Sequence, residues 1–265
     1  MMVVPKPVQT VELVRVVSSV DAATVVKTIQ TTDRGLVSFR RDGSNLVVGS
    51  QLDDVLPVGV DVDALSLVDG GGLVFSTSVS FEAGGVVADD EDLVLLDDGE
   101  LNLVLDGSFY GLPESADIDA VHVESLDPLD VYYSVDAPIK MGSVVFADDD
   151  IVRLDGGMHT LVRSGASMLG DASPRADVDA LVVDPSSNQY VLSVDVPIES
   201  APGRTAAEAG DLVLWANGSL LMFFDASASG LMTTGLDLDA VGLDFAFFAD
   251  GFETGDTSMW SSTTP

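Results

Sequence analysis

The sequence predicts an all-β protein, read as a four-bladed β-propeller, and three observations predict it. A motif of alternating carboxylates returns four times: DVDAL at Asp61, DIDAV at Asp117, DVDAL at Asp177 and DLDAV at Asp237, in steps of 56, 60 and 60 residues. Three further apolar runs follow the motif in each unit, none with a helical period longer than a turn. The two ends of the chain hold complementary fragments of the same unit. Four short strands in about 60 residues is the size of one propeller blade.

The elements follow in order. The motif itself reads as the first strand. The second is LVFSTSVSF from Leu73, VYYSVDAPI from Val131 and YVLSVDVPI from Tyr190. The third follows an acidic patch, in DEDLVLLDDG, DDDIVRLDGG (Asp148) and AGDLVLWANG (Ala209). The fourth is ELNLVLDGS from Glu100, MHTLVRSGA from Met158 and SLLMFFDAS from Ser219. Asp98-Gly99, Gly156-Gly157 and Asn217-Gly218 separate the third from the fourth. Such dipeptides accept positive φ and mark two-residue hairpin turns.

At the N-terminus, SSVDAA (Ser18–Ala23) matches YSVDAP (Tyr133–Pro138) and LSVDVP (Leu192–Pro197). DRGLVSFRRDGSNLVVGS from Asp33, with Asp42-Gly43 as its turn, matches strands three and four. Residues 11–60 thus read as a unit lacking its first strand, which Asp237 onward supplies. Joining the two leaves no orphan sheet edge between first and last units. The expected organisation is an N-terminal segment 1–10, a propeller over 11–245 and a tail 246–265. Its blades are 61–116, 117–176, 177–236, and 237–245 joined to 11–60. An open β-sandwich with internal duplication is the alternative; two separate β domains are disfavoured because no Pro/Ser/Gly linker interrupts the repeats.

Residues i and i+2 of a strand share a side. Asp61 and Asp63 would then share a face, as would Asp117 and Asp119, Asp177 and Asp179, and Asp237 and Asp239. Up to eight carboxylates would ring one channel mouth. Two of them about 5 Å apart repel by roughly 3 kcal/mol at an effective dielectric near 20, so the ring must take up protons, water or a cation. Calcium, which is bound by carboxylate and carbonyl oxygens, suits it best. These eight residues are the candidate metal ligands, and calcium the candidate cofactor in a structural role. The competing reading is that each Asp caps a turn by accepting backbone N–H groups. The acidic loops Asp89–Asp92 and Asp148–Asp150 offer the same choice between calcium ligation and a solvated turn; their counterparts weaken to Glu208/Asp211 and Asp33/Arg34.

Composition bounds the partners. With 46% hydrophobic residues the chain of 265 can bury a substantial core. The formal net charge of −33 argues against nucleic acid and against anionic membrane surfaces. The excess is mostly aspartate, 35 against 9 Glu, and there are only 3 Lys, so a saline habitat is a second explanation. Aspartate suits turns, strand ends and hard cations. Zero cysteines remove disulfides, thiolate nucleophiles and Cys-based zinc sites. No apolar run approaches the roughly 18 residues of a membrane span.

Catalytic candidates are few. His122 and His159 are the only histidines, and no G-x-S-x-G, H-E-x-x-H or phosphate-cradling glycine loop occurs. His122 reads as a channel or core residue and His159 as exposed near its hairpin. Ser134/Asp136 and Ser193/Asp195 lie at strand ends without a base.

Asp63-Ala64, Asp119-Ala120, Asp179-Ala180 and Asp239-Ala240 resemble the Asp-Ala blade starts of hemopexin-like domains. That resemblance implies four blades and channel ions coordinated around the first strand, in modules that mostly bind proteins or haem. The cysteine pair and the aromatic-rich later strands of that family are absent here. DGSFYGLPESADIDA (Asp106–Ala120) is similar, over most of the chain, to uncharacterised secreted bacterial repeat proteins, and FADGFETGDTSMW (Phe248–Trp260) to the endings of secreted Gram-negative proteins.

The expectation is therefore a non-catalytic, monomeric, extracellular or periplasmic module whose leader is not present in this chain. It would present loops to a protein or glycan partner, bind no nucleic acid and insert in no membrane. The alternative is a calcium-dependent propeller hydrolase or lactonase.

Overall fold

The structure, a computed structural model, describes residues 14–19, 25–26, 29–30, 36–40, 47–49, 52–68, 70–170, 176–199, 201–203, 205–228 and 240–245. The Asp42-Gly43 turn, Asp33, Arg34, Asp237, Asp239, residues 1–10 and the tail 246–265 lie outside them.

Strands form where the apolar runs predict them. The N-terminal part holds β1 (Val14–Ser19), β2 (Val25–Val26), β3 (Ile29–Gln30), β4 (Leu36–Arg40) and β5 (Val47–Gly49). The first repeat holds β6 (Ala64–Leu67), β7 (Leu73–Ser76), β8 (Phe81–Ala83), β9 (Val86–Ala88), β10 (Leu93–Asp97), β11 (Glu100–Leu105) and a single helical turn, α1 (Gly107–Tyr110). The second holds β12 (Ile118–Leu126), β13 (Leu129–Val135), β14 (Ile139–Met141), β15 (Val144–Phe146), β16 (Ile151–Asp155), β17 (Met158–Arg163) and α2 (Gly165–Met168). The third holds β18 (Ala180–Asp184), β19 (Gln189–Ser193), β20 (Leu212–Ala216) and β21 (Ser219–Phe224), and β22 (Ala240–Phe245) follows.

These strands form four antiparallel four-stranded sheets: β6-β7-β10-β11, β12-β13-β16-β17, β18-β19-β20-β21 and β22-β1-β4-β5. The last joins the two ends of the chain, with Val14 opposite Phe245 and Ser19 opposite Ala240. The predicted hairpin turns are present. Asp98 and Gly99 have φ of 48° and 84°, and Asn217 and Gly218 have 53° and 77°. Positive φ at both central residues is the primed turn whose twist matches the flanking strands.

The four-bladed propeller is corrected. The structure is an all-β set of separate antiparallel sheets, with no strand ladder joining one sheet to the next among the described residues. Among the described residues they form no closed ring or barrel of hydrogen-bonded strands. Nor is the repeat a plain four-stranded unit. A two-stranded ladder stands outside the main sheet in three places, as β2–β3, β8–β9 and β14–β15. In the third repeat it shrinks to one bridge between Ile198 and Ala207. A period of about 60 residues counts residues, and the extra ladder uses some that a four-strand reading leaves as loop.

The core lies between successive sheets. Val74 and Leu93 of the first repeat pack with Val121, Tyr133 and Leu154 of the second. Tyr132 and Ile151 of the second pack with Leu181, Leu192 and Trp215 of the third. Leu36 and Ala240 join Leu65 and Phe75. Each fully buried side chain of this size contributes roughly 1.5–3 kcal/mol relative to exposure.

One acid per repeat stitches these sheets locally. Asp92, Asp150 and Asp211 each accept two backbone N–H groups, one from three residues earlier and one from the segment after the fourth strand. The donors are Asp89 and Gly107, Ala147 and Gly165, and Glu208 and Ala226, at 2.8–3.1 Å. Directly after each acid the pairing of the third and fourth strands shifts register, between Leu93/Val94, Ile151/Val152 and Leu212/Val213. The Ser76 and Ser134 hydroxyls reach the carbonyls flanking the same turn, Asp90 and Asp92 in one case and Asp148 and Asp150 in the other. Asp92 and Asp150 are thus turn residues in the sense of the competing reading.

Asp150→Ala leaves two N–H groups without an acceptor, and a loss of roughly 3 kcal/mol in urea unfolding is expected. Ser164→Ala, at a helix cap that makes no side-chain bond, is expected to stay within about 0.5 kcal/mol of the parent.

Candidate metal centre

The motif carboxylates sit at the mouth of the first strands rather than on them. Asp61 and Asp63 precede β6, Asp117 precedes β12, and Asp177 and Asp179 precede β18; among the described motif acids only Asp119 lies within a strand. Asp177 and Asp179 nevertheless bring carboxylate oxygens within 4.8 Å of each other, with Val178 buried between them. What holds the acids in place is the apolar residue between each pair and the alanine after it. Val62, Ile118, Val178, Ala64, Ala120 and Ala180 are all fully buried. Backbone bonds add to this: Ser78 N donates to the Asp61 carbonyl and Asp136 N to the Asp117 carbonyl, both at 3.2 Å. In the third repeat Asp177 N instead donates to the Asp195 carboxylate at 2.8 Å.

The structure brings three of the eight candidates together. One oxygen from each of Asp119, Asp177 and Asp179 lies within 4.8 Å of the others, across the boundary of the second and third repeats. Across the preceding boundary, Asp63 faces Asp117 and Asp119. Asp63 is 9% exposed, and Oδ1 of Asp63 and Oδ1 of Asp117 are buried with no hydrogen-bond partner.

The electrostatics follow from burial. Desolvation, then the neighbouring Asp117 and Asp119 carboxylates, raise the Asp63 carboxyl well above its ordinary value. Burial, then Asp136 and Asp90, push Asp117 up to about 7. Burial pushes Asp177 up to about 8, with Asp148, Asp195 and Asp136 adding repulsion. No cationic side chain is among the causes at any of the three. The donor set is oxygen alone and anionic, which fits a hard divalent cation.

The candidate histidines and serines are partly or fully buried. Burial pushes His122 down to about 4, so it is a neutral core histidine. His159, expected to be exposed, is half-buried: its Nδ1 lies 2.7 Å from the Tyr133 hydroxyl and its Nε2 3.0 Å from the Tyr110 carbonyl. A tyrosine O–H donating to Nδ1 and Nε2–H donating to the carbonyl satisfies both. Ser134 and Ser193 are fully buried. An open groove of about 500 Å³ in the third repeat, lined by Ile198, Glu199, Glu208, Asp211 and Met222 among others, holds none of the candidate ligands.

Glu91 lies in the acidic loop Asp89–Asp92 that the sequence offered as a calcium ligand or a solvated turn. It is buried, and burial pushes its carboxyl up to about 7. The signal was present as an exchange between repeats: an acid before the stitching aspartate goes with glycine after the fourth strand (Glu91/Gly107, Asp149/Gly165), whereas Gly210 goes with Ala226.

No family model matches the chain, and no curated protein does. The expected likeness to hemopexin-like domains and to secreted bacterial repeat proteins is thereby corrected; it ends at the short motifs that suggested it. Among solved structures, the chain is similar to YCF48 bound to D1 peptide, at 11% identity and a TM-score of 0.32, over 73% of this chain and 48% of that one. It therefore spans about half of that protein's length. A protein of unknown function from Bacteroides caccae is similar at 8% identity and a TM-score of 0.36, over 86% of this chain and 98% of that one. Scores this low carry no argument about fold or function.

A carboxyl raised by burial keeps its proton in the folded chain while the unfolded chain has lost it. Between the ordinary value near 3.8 and the folded values of about 7 and 8 at Asp117 and Asp177, the folded state binds more protons, so stability falls as pH rises. The metal-free protein is expected to melt at a lower temperature at pH 8.5 than at pH 5. A flat or rising melting temperature across that window would show that these acids are not buried as described.

Proposed function

We propose that this chain is a non-catalytic module in which Asp119, Asp177 and Asp179 hold a calcium ion as a structural staple between repeats. The observation that carries the reading is the convergence of three carboxylate oxygens within 4.8 Å. Oxygens so spaced can all touch one ion at Ca–O distances of about 2.3–2.6 Å. Magnesium, with its shorter distances and strict octahedron, suits a set drawn from β12 and the separate segment before β18 less well.

The other motif acids, Asp61, Asp63, Asp117, Asp237 and Asp239, belong to the same proposal as carboxylates repeated at each boundary. Near-identical motifs favour a staple over chemistry, because a catalytic site needs one position unlike the rest. The hydrolase reading gains no support: His159 is bonded to Tyr133, the Ser134 hydroxyl donates to a backbone carbonyl, and burial keeps His122 neutral.

The module is proposed to act outside the cytoplasm and to present its loops to a protein or glycan. Phe109, 78% exposed on α1 and edge-on to Tyr110 with ring centroids 5.2 Å apart, supports such a surface. Among the described residues no helix is long and apolar enough to cross a membrane.

Thermal melts in EDTA and in millimolar calcium, at two salt concentrations, test the staple. At a hundredfold excess over Kd the ion contributes about 2.7 kcal/mol, a rise on the order of 5–10 °C for a chain of this size. The rise is expected to survive high salt and to shrink in Asp119→Asn and Asp179→Asn. A rise produced equally by sodium chloride would instead be screening of the net negative charge.

A further inference from the structure

The exchange of Glu91 and Gly107 for Gly210 and Ala226 has a steric cause. A Cβ on Gly107 would fall on the backbone oxygen of Glu91 and 2.6 Å from its Cγ, and one on Gly165 would fall on the Asp149 carboxyl. Where the acid is absent, as at Gly210, alanine is accepted opposite. The glycine is therefore a cradle for the acid, and the acid itself needs a reason. Burying a carboxylate without partners costs several kcal/mol and gives packing nothing that an apolar side chain would not give better.

Glu91 is 3% exposed, and its Oε2 is buried with no hydrogen-bond partner. Across the boundary Asp117, whose Oδ1 is likewise buried without a hydrogen-bond partner, feels the charges of Asp136, Asp90 and Glu91. Ile118 N donates to the Asp90 carbonyl at 3.1 Å, which pins the two loops together at this point. We propose that Asp90, Glu91 and Asp117 hold a second hard divalent cation at the boundary of the first and second repeats. The site extends the staple reading but uses none of the ligands Asp119, Asp177 and Asp179. Among the described residues only Asp119, Asp177 and Asp179 already bring their oxygens within 4.8 Å of one another, so at this second boundary the ion itself must draw the acids together. Its donors are all carboxylate oxygens, so the cation is of the calcium class. The third repeat, with Ala209-Gly210 in place of Asp90-Glu91, has given the corresponding acids up.

Calorimetric titration of calcium chloride into the EDTA-treated, desalted full chain tests this, with Glu91→Gln, Asp90→Asn and Asp179→Asn beside the parent. Glu91→Gln is nearly isosteric and Asp90 is half-buried, so the two guard each other against misfolding, which far-UV circular dichroism checks. The expected result is one fewer equivalent of bound calcium in both Glu91→Gln and Asp90→Asn, with Asp179→Asn losing a different one. Unchanged stoichiometry in Glu91→Gln and Asp90→Asn overturns the second site, and leaves the first intact if Asp179→Asn alone loses an ion. Loss in Glu91→Gln and Asp90→Asn without loss in Asp179→Asn supports the second site and removes the first. No binding to the parent overturns both.

Discussion

Carboxylates crowded where water is scarce are the constraint on which the rest of this structure depends. Val62, Ile118 and Val178 anchor the backbone beneath the motif, and the alanines after it lie flat in the core. The acids on either side therefore cannot swing away to solvent without dislodging the strand that follows. Asp63, Asp117 and Asp177 respond by holding protons far above their ordinary range. A proton and a divalent cation are alternative answers to the same repulsion, and the convergence of Asp119, Asp177 and Asp179 favours the cation.

The same residue type has a second fate a few ångströms away. Asp92, Asp150 and Asp211 are as buried as the motif acids, yet each is fully engaged by two backbone N–H groups. They fasten the turn before the third strand to the segment after the fourth, and they recur in all three complete repeats. Such an acid is structural mortar. The contrast separates the two roles without appeal to charge: the mortar acids have donors aimed at both oxygens, whereas Asp63, Asp117 and Glu91 each keep an oxygen that no donor reaches. Between neighbouring repeats, uncharged and cationic links complete the join. Val123 N donates to the Ser66 hydroxyl, and the Arg163 guanidinium, bonded to Asn188, lies 4.6 Å from the centre of the Trp215 ring.

Much of the local fold was legible because it depends on local rules. Apolar runs ending at Asp98-Gly99, Gly156-Gly157 and Asn217-Gly218 can hardly avoid forming hairpins, and matched fragments at the two ends announced the pairing of β1 with β22. Architecture was less legible. The ladders β8–β9 and β14–β15 are three residues per strand, too short for periodicity to register, although Gly84-Gly85 marked one turn. Repeat length alone could not say how separate sheets are arranged, and the propeller inferred from it did not stand. At the site, spacing identified the acids but not their grouping, because Asp119 meets Asp177 and Asp179 only through the packing of β12 beside β18. His159 was misplaced for a similar reason: its partners Tyr133 and Tyr110 are 26 and 49 residues away.

The most direct test of the account is anomalous diffraction from crystals grown with terbium, a calcium-sized hard cation. The account predicts a strong peak between Asp119, Asp177 and Asp179, within coordination distance of an oxygen from each. Carboxyl groups paired through shared protons or bridged by water at that position, with no anomalous peak, would contradict it.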